Sequence, residues 1–210
     1  VGQGSATLLR DGPHAILVDA GPRGGRVLDR LAAHGVRRLD ALILSHAAAD
    51  HSGGAPAVAA RLRPRLLVDG RDGRPDPAAA VAARIVREGG GAVVPGRAGM
   101  RLRAGAIDAT LRWPPATGPG PAPGEDPNDR AIVVRASVGG LRALLPADRE
   151  GVVLRRAAGG PVDVLVPPPH GSADDALPVL LRALRPSRVV VSAGRDNGYG
   201  HPAPQARAAV

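Results

Sequence analysis

The run Ala41-Leu42-Ile43-Leu44, bounded by Asp40 and Ser45, constrains the fold more than any other stretch of this 210-residue chain. It has no polar face. A strand with one side in water alternates apolar and polar residues, so an unbroken apolar run requires cover on both sides. Around it, strand-like and helix-like segments alternate. Ala6–Arg10 and Ala15–Asp19 read as strands joined by a turn at Asp11-Gly12-Pro13. Arg26–His34 reads as a helix with apolar positions Val27, Leu28 and Leu31, stopped by Gly35. Pro56–Arg63 reads as a helix, Arg65–Asp69 as a strand, and Pro77–Glu88 as a helix ended by Gly89-Gly90-Gly91. This alternation predicts an α/β layered sheet.

The second half repeats the pattern after an interruption. Met100–Trp113 reads as one or two strands, and the Pro/Gly-rich stretch 114–127 as a flexible loop. Arg130–Ala136 and Leu141–Leu145 form a hairpin around Gly139-Gly140. A helix near Glu150–Ala158, a strand at Val162–Val166, a helix at Asp174–Leu184 and a strand at Arg188–Ser192 follow. The order predicts two sheets in contact with helices outside each. The length fits one domain over residues 1–210. The chain starts inside what reads as its first strand and ends as a helix begins at Pro202, so both ends read as cut from a longer protein.

Composition removes several chemistries. All 28 basic residues are Arg, against 19 Asp and Glu, giving a formal charge of +9. Without Lys there is no Schiff-base lysine, and without Cys no thiolate nucleophile, disulfide or cysteine metal site. Trp113 and Tyr199 are the only aromatics, too few for a base-stacking platform. No apolar run is long enough to span a bilayer. The positive charge has two readings: a by-product of GC-rich coding, which also inflates Ala, Gly and Pro, or a surface for a polyanion.

The chemistry-bearing residues gather at strand ends, where an α/β sheet places its ligands. Ser45-His46-Ala47-Ala48-Ala49-Asp50-His51-Ser52-Gly53-Gly54 follows the buried strand. His46, Asp50 and His51 put two imidazoles and a carboxylate within six residues, a donor set for a divalent metal, or else a polar loop capping a helix. Asp148 ends the strand before it, His170 follows Val164–Val166 and three prolines, and His201 lies beyond the last strand. His14 and His34 have no such context and read as surface residues.

These stretches resemble the metallo-β-lactamase fold, and within it the C-terminal domain of ComEC-type DNA-internalization competence proteins. The resemblance rests on Val1-Gly2-Gln3-Gly4, Ile16 to Gly21, Leu44 to Gly54, Asn128-Asp129-Arg130, Leu144–Asp148, His170-Gly171-Ser172 and Gly194 to Pro202, in the family's order and over nearly the whole chain. It implies a four-layer αβ/βα sandwich with the site between the sheets, and a nuclease-type metal hydrolase acting on DNA. It also implies attachment to the membrane channel portion of the same full-length protein, on the outer face of the plasma membrane.

Four positions depart from the family pattern. Ser5 stands where an Asp is expected, Ala48 where the second His of His-x-His-x-Asp-His belongs, Pro169 where a His precedes His170, and Ala147 where a Gly precedes Asp148. By the resemblance, one metal site keeps His46 and Asp148 but lacks the imidazole at Ala48. The other keeps Asp50, His51, Asp148 and His170. The expectation is therefore one Zn²⁺ or Mn²⁺ per chain rather than two. Asp50, Asp148 and His201 would be the catalytic groups, and Ser172, Arg195, Asn197 and Tyr199 would contact substrate phosphates. Asp19 would order its loop; Asn128 and Asp129 would be a substitute ligand or a strand start. Two functions compete: a weakened metal-dependent phosphodiesterase, and a non-catalytic module supporting DNA passage or channel assembly. Hydrolysis of a small ester or lactone is a third. DNA binding, with so few aromatics, would be driven by phosphate contacts and sensitive to salt.

Overall fold

The structure is a computed structural model and describes residues 1–117, 125–195 and 197–209. Its first sheet is built from β1 (Thr7–Asp11), β2 (His14–Val18), β3 (Ala41–Leu44), β4 (Leu66–Asp69) and β5 (Ala92–Pro95), hydrogen-bonded in that order. β1 and β2 are an antiparallel hairpin; the remaining pairings are parallel. Parallel neighbours need crossovers, supplied by α1 (Val27–Ala33), the short α2 (Ala49–Ser52) with α3 (Ala55–Leu62), and α4 (Pro77–Glu88). The second sheet runs β11-β10-β9-β8-β7-β6. It comprises β6 (Arg101–Ala104), β7 (Ile107–Trp113), β8 (Val133–Val138), β9 (Leu141–Leu145), β10 (Val164–Leu165) and β11 (Arg188–Val189), with α5 (Val152–Ala158), α6 (Leu177–Leu184) and α7 (Pro204–Ala209) on its outer face.

The apolar run in β3 explains the layering. Leu42 and Leu44 pack outward with Val58 and Leu62 of α3 and Ala82 and Val86 of α4. Ala41 and Ile43 point the other way, into a core shared with Leu102, Ile107, Leu111, Val134 and Leu145 of the second sheet. The second sheet repeats this: Val133, Leu144 and Leu165 pack outward with Leu154, Leu177 and Leu180. The period-2 alternation of strand side chains thus feeds three apolar layers between four layers of structure, the αβ/βα sandwich that the sequence leads one to expect.

Several boundaries differ from the sequence reading. The segment read as a loop between β3 and α3 holds the helical turn α2. β5 was not anticipated: its residues are half-exposed or exposed and end in Pro95, so nothing alternates, as befits an edge strand. β8 starts at Val133 rather than Arg130, because Pro127–Arg130 form a 3₁₀ turn whose Asp126 carboxylate accepts from the Asn128 N–H. The strand read at Val162–Val166 is reduced to Val164–Leu165, running into prolines that have no N–H for a ladder. Of the stretch 114–127, residues 118–124 lie outside the described residues. No described helix is long and apolar enough to cross a membrane.

Ile43 is fully buried between the sheets. Ile43→Ala is expected to cost about 2–5 kcal/mol through lost burial and the cavity left behind. Val179→Ala on the exposed side of α6 should stay within about 0.5 kcal/mol. Denaturant midpoints of the two variants check this.

Candidate metal centre

The centre is organised around a buried carboxylate. Asp19 sits just past the end of β2 and accepts three hydrogen bonds: from the Ser45 N–H (2.8 Å), from Ser45 Oγ (2.9 Å) and from His51 Nδ1 (2.8 Å). Its own N–H donates to the Ile43 carbonyl, and the Ala20 N–H donates to the His51 carbonyl. Adjacent parallel strands and α2 are thereby fixed by one side chain. A carboxylate 1% exposed requires such satisfaction. The network also sets the ring protons. With the Ser45 hydroxyl proton given to Asp19, Ser45 Oγ accepts from His46 Nδ1 at 2.9 Å. The Nε2 of His46 is buried and has no hydrogen-bond partner.

His51 Nε2 faces the candidate ligands. One ligand atom from each of Asp50, His51, Asp148 and His170 lies within 4.8 Å of all the others. His51 Nε2 is 3.1 Å from Asp148 Oδ1 and 4.0 Å from Asp50 Oδ2; His170 Nε2 is 3.2 Å from Asp50 Oδ2 and 4.0 Å from Asp148 Oδ1. His170 is held from behind, its Nδ1 donating to the Ser192 carbonyl at 2.8 Å. Each imidazole thus has its far nitrogen anchored to an acceptor and turns Nε2 inward, as metal-binding histidines do. Two nitrogens and two carboxylates suit a divalent cation of borderline softness. The buried Nε2 of His51 faces the Asp148 carboxylate, and a cation held by both would replace the proton between them.

Backbone strain concentrates here. Three of the seven described non-glycine residues with positive φ are Asp19 (61°), Ala147 (52°) and His170 (53°). Such conformations cost free energy in non-glycine residues and persist when surroundings dictate them. His170 and Gly171 (φ 78°) are the central pair of a turn closed by the Ser172 N–H donating to the Pro169 carbonyl, the positive-φ pattern of a type I′ turn. At Ala147, beside Asp148, the left-handed backbone is what glycine would adopt freely.

The charges are strongly coupled. Burial pushes the Asp50 carboxyl up, but the hydrogen bond from His170 and the nearness of His51 outweigh it and hold it down to about 2. Burial likewise opposes ionisation of Asp148, and its contact with His51 reverses the balance, leaving it below the usual carboxylate range. Burial disfavours the imidazolium of His51, yet the Asp19 and Asp148 carboxylates raise it well above its ordinary 6.5. His170 is raised in the same way by Asp50 and Asp148 against burial. His46 is lowered by burial and by the neighbouring His51.

The other residues singled out from sequence fall into distinct places. His46 stands outside the four-residue cluster, its ring 4.5 Å from that of His51. Asp129 turns to Arg149 at 2.5 Å rather than to the cluster. His201 stacks 6.3 Å from the His170 ring, with a buried and unpartnered Nδ1. Ser172 donates to Glu150 Oε1. Asn197 commits its amide to its own loop, donating to the Gly194 and His201 carbonyls and accepting from the His201 N–H. Arg195 is exposed, as is Tyr199; Asp196 lies outside the described residues. Sequence reasoning missed the roles of Ser45, Ser192 and Glu150. Burial raises the Glu150 carboxyl, and its place two residues after Asp148 was the only signal available.

A family model described as the metallo-beta-lactamase superfamily matches residues 1–195, and the chain belongs to that superfamily. ComE operon protein 3 of Bacillus subtilis (strain 168) is 30% identical over 176 residues, 82% of this chain and 22% of that protein. Competence protein ComA of Neisseria gonorrhoeae is 29% identical over 209 residues, 96% of this chain and 27% of that protein. The chain therefore spans about a quarter of the length of these relatives. Among solved structures, the metallo-beta-lactamase fold protein YhfI from Bacillus subtilis superposes with a TM-score of 0.65 at 14% identity, over 99% of this chain and 86% of that one. The short form of human tRNase Z gives a TM-score of 0.56 at 14% identity, over 91% of this chain and 85% of that one. Both share the fold.

Asp19→Ala is expected to lower divalent-cation affinity about tenfold to hundredfold, because His51 loses the acceptor that orients it; calorimetric titration of Zn²⁺ or Mn²⁺ reads this out. Cation affinity should also climb with pH. The raised His51 and His170 hold protons that the cation must displace. In metal-free protein the stabilisation from these two histidines is complete below 6.5, their ordinary value, and is lost as pH rises through their raised values. That from Asp50 is complete above 3.8 and is lost as pH falls towards about 2. Thermal midpoints against pH, with and without metal, test both signs.

Proposed function

We propose, with superfamily membership as premise, that this chain is a metal-dependent phosphodiesterase acting on DNA, within a longer competence-type protein tethered to the outer face of the plasma membrane. The observation that carries the reading is the four-residue cluster of Asp50, His51, Asp148 and His170, whose ligand atoms lie within 4.8 Å of one another. Retention of that complete donor set beside Ala48 favours one divalent cation per chain, Zn²⁺ or Mn²⁺. The resemblance to competence proteins supports the choice of DNA and of a membrane channel, and the greater length of the two relatives supports a place within a longer protein.

When bound, a divalent cation supplies a water made acidic near neutral pH and a charge to set against a phosphoryl oxygen. The chain's own residues do the rest. Asp50 and Asp148 are held ionised and so remain ligands over the working pH range. Asp19 and the Ser192 carbonyl hold the His51 and His170 rings so that Nε2 faces inward. The cavity beside Asp148 and His170, lined also by Ser5, Thr7 and Asp19, is about 10 Å³, room for about one water. His201, stacked on His170, would hand a proton to a departing oxygen. Arg195 is available to grip a phosphate with paired N–H groups.

The second reading, a non-catalytic module, is favoured by one set of observations. His46 keeps an orphaned Nε2, but Ala48 offers no ligand atom and Asp129 is spent on Arg149. A second cation would therefore have too few protein ligands, His46 and Asp148 alone, and without it half of the clamp on attacking and leaving oxygens is lost.

Purified protein is expected to carry about one Zn²⁺ or Mn²⁺ per chain and to cleave DNA in a metal-dependent manner; chelation should abolish cleavage, and Asp148→Ala should reduce it by at least about 100-fold. Absence of bound metal together with absence of cleavage supports the non-catalytic module instead. Ala48→His should move metal content towards two per chain, measured by elemental analysis.

A further inference from the structure

One strand further along the same sheet edge lies a second concentration of charge, separate from the metal cluster. β4 ends at Asp69, paired in register with Leu44 of β3, and β5 ends at Pro95. The Gly70 N–H donates to the Leu44 carbonyl, and a Cβ on Gly70 would lie 2.2 Å from the Ser45 carbonyl oxygen, so the turn after β4 rests directly on the metal-bearing loop. Beyond Gly70 a cavity of about 360 Å³ opens, and its charged lining is Asp69, Arg71, Asp72, Arg74, Arg87 and Arg97.

The pairing inside this cavity is unequal. Asp69 is gripped by Arg71, whose guanidinium reaches both carboxylate oxygens. Asp72, nearly buried in a left-handed turn, is bound by Arg97 and by Arg130. Both carboxylates are thus saturated by arginines other than Arg74 and Arg87. Arg74 has Nε and Nη2 buried and without any hydrogen-bond partner. Asp76 caps α4 with Oδ1, which accepts from the Ala79 N–H, and its Oδ2 is likewise buried without a hydrogen-bond partner; no ion pair joins it to Arg74. Arg74 and Arg87 thus line the cavity without holding either of its two carboxylates. Four arginines against two aspartates leave the cavity cationic, and a planar N–H edge is the geometry that takes two oxygens of one tetrahedral anion.

We propose that this cavity is a phosphate-binding pocket in which Arg74 and Arg87 grip a phosphate group that is not the reacting one. The choice of a nucleic-acid strand as the source of that phosphate rests on the phosphodiesterase reading; the pocket's affinity for a free phosphate does not. β3 and β5 are two strand spacings apart, about 10 Å. A strand carrying one charge per ~3.4 Å of axis with one phosphodiester at the metal cluster would present another to Arg74. The pocket would then fix which way the strand runs across the metal centre.

The test measures binding of inorganic pyrophosphate and of an eight-residue oligothymidylate to the metal-loaded protein, by calorimetry and over a range of salt. Wild type should bind both. Arg74→Ala should weaken pyrophosphate binding about tenfold and flatten the salt slope for the oligonucleotide by about 0.7. Arg61→Ala, on α3 away from this cavity, should change neither. Arg87→Ala, an exposed position, repeats the test should Arg74→Ala fail to fold. Failure of wild type to bind pyrophosphate, or equal losses from the Arg61 and pocket variants, overturns the pocket. Pyrophosphate binding that depends on Arg74 without any oligonucleotide binding keeps the pocket and overturns the nucleic-acid reading.

Discussion

The Asp19 carboxylate is the interaction on which the rest of the centre depends. It lies in a part of the molecule with almost no access to water, and it is satisfied only because Ser45, just past β3, brings two donors to it and His51 on α2 a third. Remove it and the proton on His51, the orientation of Ser45 and the join between two neighbouring strand ends lose their common reference. The fold makes this possible at low cost. The strands are parallel, so their ends coincide at one edge, and the residues just past them converge without long loops.

Much of this was legible in the sequence, and the reason differs from element to element. The unbroken apolar run in β3 predicted burial on both faces, and Leu42 and Ile43 do pack into different cores. Pro77–Glu88 was readable because glycines stop it, and the structure adds the Asp76 cap at its start. Strand ends pointed to Asp50, His51, Asp148 and His170 together with His46 and His201; the family resemblance separated out the four, and the structure brings these four together. Ser45, Ser192 and Glu150 were not. Their parts are set by partners far away in the chain or by burial, and no local pattern encodes either. β5 escaped for a different reason: an edge strand has too little to bury for its sequence to alternate.

The centre is asymmetric in a way that sequence and structure describe together. On one side, four ligating groups converge and two are anchored from behind. On the other, His46 keeps a ring held by Ser45 and an inward nitrogen with nothing to bind. Ala48 brings no donor, and Asp129 has been drawn off by Arg149, whose guanidinium also lies 5.6 Å from the Trp113 ring. The orienting scaffold of the second position thus outlives its ligands. This is what one expects where His46 and His51 share a single hydrogen-bonding network, since dismantling one half would disturb the other.

The first residues of the chain close over this centre from the far end of the sequence. Ser192 Oγ donates to the Gly4 carbonyl, the Gly194 N–H donates to Gln3 Oε1, and the Ser5 N–H donates to the Asp50 carbonyl. A growing polypeptide emerges from its N-terminus, so the segment around Gln3 waits for nearly two hundred further residues before its partners exist. His170 likewise arrives late, and its own anchor at Ser192 later still. A nascent chain can complete the first sheet while lacking half of its ligands, and a cation captured at that stage would be held by Asp50 and His51 alone. A cation would therefore meet its full set of ligands only after the segment from Asp148 to Ser192 has been made and folded onto the first sheet.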